Sequence, residues 1–368
     1  MKRGGFRIAV FDGDGIGPEV MAPTLEVLRA AVAAAGAPAL ELEHLPGGAG
    51  SYARTGIALP DTALAAAKAA DAILLGAMGD PAVRYPDGTE IAPQIDLRFE
   101  LELYASVRPV KPIAGLGTPL SDPRALDIDF VLVRESTEGL FAARGRGVIT
   151  ADATEAHDTM VISRAGTRRL TRFGLDLAAR RKAQGHPGKL TLIDKANIFT
   201  SMAFMRSVFN DHAAERRDIV SERMYVDAAA LNLVKNPWNF DVMITENMYG
   251  DILSDLGAAL MGGLGCAPSA DIGDNYAVFQ PCHGTAPDIR GLGRANPVAM
   301  MLSGAMMLEW LGERHGEASA SEAGALVRRG IDAAFGSGAL RPFEMGGDAG
   351  TGRIASEVLE AIQARKAA

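Results

Sequence analysis

The chain has 368 residues, more than one small core sustains, so it fits two domains or one large α/β unit. Hydrophobic residues make up 48% and charged residues 22%, a globular composition without an apolar run long enough to cross a bilayer. The net charge of −8 argues against nucleic acid as a partner, and the two cysteines, without CxxC spacing or a histidine cluster, argue against a zinc site or disulfide framework.

The opening MKRGGFRIAVFDGDG turns directly into a strand with no leader-like apolar segment, and a reducing compartment, the cytoplasm, is expected. RIAVF, Arg7 to Phe11, reads as a buried strand ending at the loop DGDGIGPEV, and a helix is predicted from Pro18 to Ala35. The alanine-rich ALAAAKAA predicts another helix, leading into DAILLGAMG, a second buried strand. This alternation predicts an α/β domain with mostly parallel strands. Around LYASVRPVKPI the pattern breaks at Pro109 and Pro112, which places a domain crossing near residues 108–112, and DFVLVRESTEGLF starts another strand. Residues 145–163, rich in Thr, Val and Gly, predict an extended arm or hairpin. TRRLTRFGLDLAARRKAQGHPGK predicts an amphipathic helix ending near residues 185–188. KLTLIDKANIF reads as strand then loop, FDVMITENMYGD as strand then helix, and GGLGCAPSA as the return crossing. NPVAMMLSGAMMLEWLG predicts a long helix whose methionines serve the core or a subunit contact.

Asp251 and Asp255 stand four residues apart, on one face of the predicted helix. Two such carboxylates either favour the positive helix end or, as hard oxygen donors, hold Mg²⁺ or Mn²⁺. Arg98, Arg108 and Arg134 each fall at an element end; they either form surface ion pairs or grip a polyacid through bidentate forks. Lys195, after a strand, is a general-base candidate if burial or a nearby cation lowers its pKa. The Gly- and Pro-rich PCHGTAPDIRGLGRANP, with His283, Asp288 and Asn296, suits a nucleotide. GDGIGPEV by itself lacks the GxGxxG spacing of a Rossmann site.

Together GDGIGPEV, SVRPVKP, VRESTEGL, IDKANIF, YVDAAAL, TENMYGDILSDLGAALMGGLG, CHGTAPDIRGLGRANP and MGGDAGT make the sequence resemble, nearly end to end, the β-decarboxylating dehydrogenases of isopropylmalate, isocitrate, homoisocitrate, tartrate and D-malate. The resemblance implies a two-domain α/β fold that is not a true Rossmann fold, with residues 1–109 and 262–368 in the first domain and 110–261, with a dimer arm, in the second. It implies that Arg98, Arg108 and Arg134 hold the malate part of the substrate and that Asp227, Asp251 and Asp255 carry the divalent metal. Lys195 and Asp227 are implied to act catalytically from the partner subunit, making a homodimer. The loop carrying His283, Gly284, Ala286, Asp288 and Ile289 is implied to bind the adenosine ribose of NAD, with Asn296 near adenine.

Phe141 departs from the family, which usually has a tyrosine there, thought to help protonate the enol, and Gln280 stands where an acid is usual. Asp288 favours NAD over NADP, since an acid beside the ribose repels a 2′-phosphate. Ile91 and Ile95 favour an apolar substrate substituent and Gln94 a polar one. The reading leans to 3-isopropylmalate or a similar alkylmalate and leaves tartrate, D-malate and other hydroxy-diacids open. A non-catalytic regulatory subunit is the alternative of another class, and the presence of all three arginines, all three aspartates and Lys195 weighs against it.

Overall fold

In the computed structural model, which describes residues 4–366, ten strands form one sheet and two more form a hairpin. The strands are β1 (Gly5–Phe11), β2 (Ala39–His44), β3 (Ala72–Leu75), β4 (Ala105–Val110), β5 (Phe130–Glu135), β6 (Val148–Ile149), β7 (Ala156–His157), β8 (Lys189–Asp194), β9 (Val220–Tyr225), β10 (Val242–Thr245), β11 (Pro268–Ile272) and β12 (Ala277–Pro281). Their order across the sheet is β2-β1-β3-β12-β11-β4-β5-β10-β8-β9. The two flanks are parallel, and the centre, β12-β11-β4-β5, is antiparallel. The expected α/β fold with a mostly parallel sheet is what the chain adopts.

Parallel strands covered on both faces read as unbroken apolar runs, and Ala72–Leu75 and Val242–Thr245 are buried at every position. The first helix spans Gly17–Ala35 with proline in its first turn, and it stops at Gly36, whose φ of 64° suits glycine. The helix Val298–His315 buries Met300, Met301 and Met307 completely, so the methionine run is core. Residues 145–163 hold the exposed β6–β7 hairpin, in which Val148 pairs with His157. Among the described residues no helix is long and apolar enough to cross a membrane.

One expectation is corrected. Pro109 does not interrupt a strand: β4 runs through it, with Pro109 opposite Val131 of β5. A proline is tolerated where no ladder bond is required of its nitrogen. On the other side of β4, the pairing with β11 ends at Val107 and Ala270, so the proline sits beyond that ladder.

The middle of the chain is tied to the sheet by a buried ion pair. Asp241, fully buried ahead of β10, accepts from Arg181 Nε at 2.6 Å and from the Lys189 amide at 2.9 Å. Arg181, on the helix Arg164–Ala183, also donates to the Asp129 carbonyl at 2.7 Å. Asp241→Ala removes the partner of Arg181 Nε while Asp129 Oδ1, 3.0 Å from Nη2, still opposes the guanidinium, and a loss of about 1.5–3 kcal/mol, that of a hydrogen bond to a charged group, is expected. A urea-denaturation midpoint unchanged from wild type would contradict it.

Candidate active site

The antiparallel centre of the sheet presents polar and charged side chains on one face. Cross-strand pairing puts Val278, Asp271, Ser106 and Arg134 in one row across β12, β11, β4 and β5. Gln280, Ser269 and Arg108 belong to the row two residues away on the same face, where period-2 alternation returns each side chain to that side. Arg98 joins them from the last turn of the helix Pro93–Glu100. Arg98, Arg108, Arg134 and Gln280 border a cleft of 260 Å³ lined also by Gln94, Ile95, Phe141, Asp251 and the stretch 281–284. The structure therefore brings the three predicted arginines, Gln94, Ile95 and Phe141 together.

Each arginine is held by named partners. Arg98 Nη2 donates to Asp271 Oδ2 at 3.1 Å, and its Nε is buried without a partner. Arg108 donates from Nε to Ser106 Oγ at 3.1 Å and from Nη1 to Cys282 Sγ at 2.8 Å. Burial opposes its charge, yet Cys282 and Asp271 outweigh that and hold its pKa above the usual value. Arg134 donates from Nε to Asn247 Oδ1 at 2.8 Å and pairs with Asp251 through Nη1. Burial pushes Arg134 down to about 10; Asp251 resists the shift, and Arg98 and Arg108 add to it. Its guanidinium carbon lies 4.8 Å from the centroid of the Phe141 ring.

The helix Asn247–Leu260 carries Asp251 and Asp255 on its exposed side, as the spacing predicts. Its N-terminus is capped by Glu246, whose buried carboxylate accepts from the amides of Met248 and Tyr249 at 3.0 and 2.7 Å. Burial raises the Glu246 pKa. The helix packs directly over Arg134: a Cβ on Gly250 would come within 2.5 Å of Arg134 Cβ, so glycine is required there. Partial burial, then repulsion from Asp251, raises the Asp255 pKa. Two carboxylates four residues apart on the exposed side of one helix, with oxygen donors only, fit a hard divalent cation.

A second cleft, of 370 Å³, is lined by Ile16, Leu264, Gly265, His283, Ala286, Ile289, Arg294, Ala295, Asn296, Phe343 and Glu344. His283 borders both clefts. Its Nδ1 faces the Gly284 carbonyl at 2.9 Å, which makes Nδ1 the donor and leaves Nε2 a buried acceptor without a partner. Burial lowers its pKa and keeps the ring neutral. That vacant acceptor, beside apolar walls from Ile16, Ala286, Ile289 and Phe343, fits a nucleotide that offers a hydroxyl or amine. Gly15, at φ +57°, presses against this loop: a Cβ there would lie 2.1 Å from the Thr285 carbonyl, which accepts from the Ile16 amide at 2.9 Å. Gly284 lines the first cleft, and Asp288 is exposed on the turn Pro287–Ile289.

Lys195 and Asp227 pair with each other, Nζ to Oδ1, at 2.7 Å, and line neither cleft. The lysine's hydrogen bond holds the Asp227 carboxyl below its usual range. Among the described residues no three histidine, cysteine or acidic side chains of one chain stand close enough to hold a metal ion. Asp227 is thus not brought to Asp251 and Asp255 within a single chain. Sequence reasoning missed Asp271, Glu246 and Glu344. Glu344 Oε1 accepts from Asn296 Nδ2 at 2.8 Å at the second cleft. Glu246 had a local signal, an acid just ahead of a predicted helix; Asp271 and Glu344 had none.

The family described as Isocitrate/isopropylmalate dehydrogenase matches residues 7–349. A 3-isopropylmalate dehydrogenase of Moorella thermoacetica is 41% identical over 323 residues, 86% of this chain and 89% of that protein. A 3-isopropylmalate/3-methylmalate dehydrogenase of Methanocaldococcus jannaschii is 39% identical over 360 residues, 97% of this chain and 99% of that one. The crystal structure of an isocitrate dehydrogenase from Methylococcus capsulatus superposes with a TM-score of 0.84 at 33% identity, covering 97% of this chain and 99% of that one. The chain belongs to the isocitrate/isopropylmalate dehydrogenase family and is an oxidoreductase.

Proposed function

We propose that the chain oxidatively decarboxylates a 3-substituted malate, 3-isopropylmalate or a similar alkylmalate, with NAD and Mg²⁺ or Mn²⁺. The observation that carries this reading is the gathering of Arg98, Arg108 and Arg134 at one cleft with Asp251 and His283 on its rim. The names of the Moorella and Methanocaldococcus relatives support the alkylmalate over other hydroxy-diacids. So does the Ile95 wall, although Gln94 beside it leaves a polar substituent open.

The arginines bind the two carboxylates of the malate and fix its orientation. Asp251 and Asp255, with Asp227 of a second subunit, would hold the divalent cation, and Lys195 would take the proton of the 2-hydroxyl from that same subunit. When bound, the cation supplies Lewis acidity at the 2-oxygen, and the nicotinamide supplies a hydride acceptor. His283, Gly284, Ala286, Ile289 and Asn296 would hold the nucleotide, with Asp288 facing its ribose. Phe141 has no proton to give, and its ring covers one side of the Arg134 guanidinium.

The homodimer this requires is supported by exposed apolar side chains near the shared groups. Ile198 and Phe199 follow Lys195, Leu231 and Val234 share the helix of Asp227, and Ile252 adjoins Asp251. The first domain would comprise residues 1–109 and 262–368 and the second 110–261, the β6–β7 hairpin serving as the dimer arm. Two cysteines left as free thiols support a cytoplasmic setting.

Asp251→Asn is expected to abolish metal-dependent turnover while circular dichroism and sedimentation stay unchanged. A wild-type rate with wild-type metal dependence would remove the metal assignment.

NAD⁺ is expected to beat NADP⁺ in kcat/KM by at least about tenfold, or 1.4 kcal/mol, because Asp288 repels a 2′-phosphate. Equal values would mean that Asp288 does not face the ribose.

Phe141→Tyr is expected to raise KM for the alkylmalate and improve handling of D-malate, with kcat on the alkylmalate little changed. A gain in that kcat of about 10²-fold or more would mean that the wild type runs its protonation step without a donor.

A further inference from the structure

Asp271 is 1% exposed, on the central strand β11, directly under the arginine cleft. Its Oδ2 accepts from Arg98 Nη2 at 3.1 Å and from Gln280 Nε2 at 2.8 Å. Ser106, its cross-strand neighbour, accepts from Arg108 Nε at 3.1 Å. Asp271 therefore anchors one arginine directly, its Oδ1 is buried without a partner, and the second arginine is held by the hydroxyl on the neighbouring strand. Arg98 and Arg108 in turn hold the Asp271 carboxyl below its usual range, against the effect of burial, so it stands as a fixed negative charge.

That charge bears on what the cleft can take. Asp271 opposes Arg98 and Arg108, and Asp251 opposes Arg134. Three guanidinium charges meet two carboxylates, and one positive charge is left unopposed among these groups. A buried anion repels a ligand in proportion to the ligand's own charge, and burial keeps salt from screening it. A dicarboxylate already exceeds that single positive charge, and a third carboxylate would add repulsion from Asp271 with no further positive charge among these groups to offset it. A cation held at the aspartate pair is present in wild type and variants alike, so it cancels from the change that the Asp271 substitution makes in the ratio of the two ligands.

We propose that Asp271 is a positioning residue that sets specificity, tuning the arginine cleft to dicarboxylates whose third substituent is uncharged and against tricarboxylates. This rests on the hydroxy-acid reading above. The test is calorimetric binding and kcat/KM at pH 8 for an alkylmalate and for isocitrate, in wild type, Asp271→Asn and Asp271→Ser, each with NAD⁺ and Mg²⁺. Removing the charge is expected to raise the ratio of tricarboxylate to dicarboxylate at least about tenfold, whatever happens to either value alone. Equal changes for both ligands, the outcome of a merely structural role, would overturn the proposal. If both variants unfold, wild-type binding decides: 2-methylsuccinate is expected to bind more tightly than tricarballylate, and the reverse order or equality overturns it. Wild type that turns over no hydroxy acid would sink the functional reading, while the binding comparison would still judge Asp271.

Discussion

Three guanidinium groups gathered at one poorly solvated cleft repel each other, and much of the central architecture answers that repulsion. The cost is visible at Arg134, whose pKa burial and its two arginine neighbours push down to about 10. The relief comes from different directions: Asp251 from a helix above, Asp271 from the neighbouring strand, and the Phe141 face laid over Arg134. A buried unpaired cation costs several kcal/mol, and each of these partners lowers the cost of gathering the arginines.

The antiparallel centre of the sheet is the device that brings them together. In a wholly parallel sheet neighbouring strands are far apart in sequence and the functional groups collect in the loops at their carboxyl ends. Here β4 and β11 run between the two parallel flanks, and four side chains of one row come from segments as distant as Ser106 and Asp271. The helix Asn247–Leu260 then needs only to lie close over Arg134, which Gly250 permits, for its aspartates to reach the same rim.

What the sequence disclosed follows from this division. Strands such as Ala72–Leu75 and Val242–Thr245 were legible because burial on both faces leaves an unbroken apolar run, and the face shared by Asp251 and Asp255 was legible because helical spacing is local. The strand Ala39–His44 was not, since an edge position leaves ALELEH half exposed and charged. Nor was β11, whose PSADI resembles a loop until its neighbours are known. Asp271 meets Arg98 across 173 positions of sequence, and Arg134 meets Phe141 only because the chain turns back after β5; neither contact has a signature in its own segment. The pairing of Lys195 with Asp227 was also unforeseen: the lysine was expected as a base and the aspartate as a metal carboxylate, and within one chain they hold each other.

The proline in β4 has a consequence for how the sheet opens. Extending the β4–β11 register beyond Val107 and Ala270 would set Pro109 against Pro268, two residues without an amide hydrogen. No zipper can close there, and a small cavity bordered by Pro109, Pro112 and Pro268 lies at the spot. Pro109 and Pro268 carry no amide proton, so hydrogen exchange at the β4–β11 ladder is reported only by residues 105–107 and 270–272. From this end the β4–β11 ladder has its first paired residues at Val107 and Ala270, just past Arg108, so the arginine that the ligand would hold lies on the stretch of β4 that β5 alone pairs.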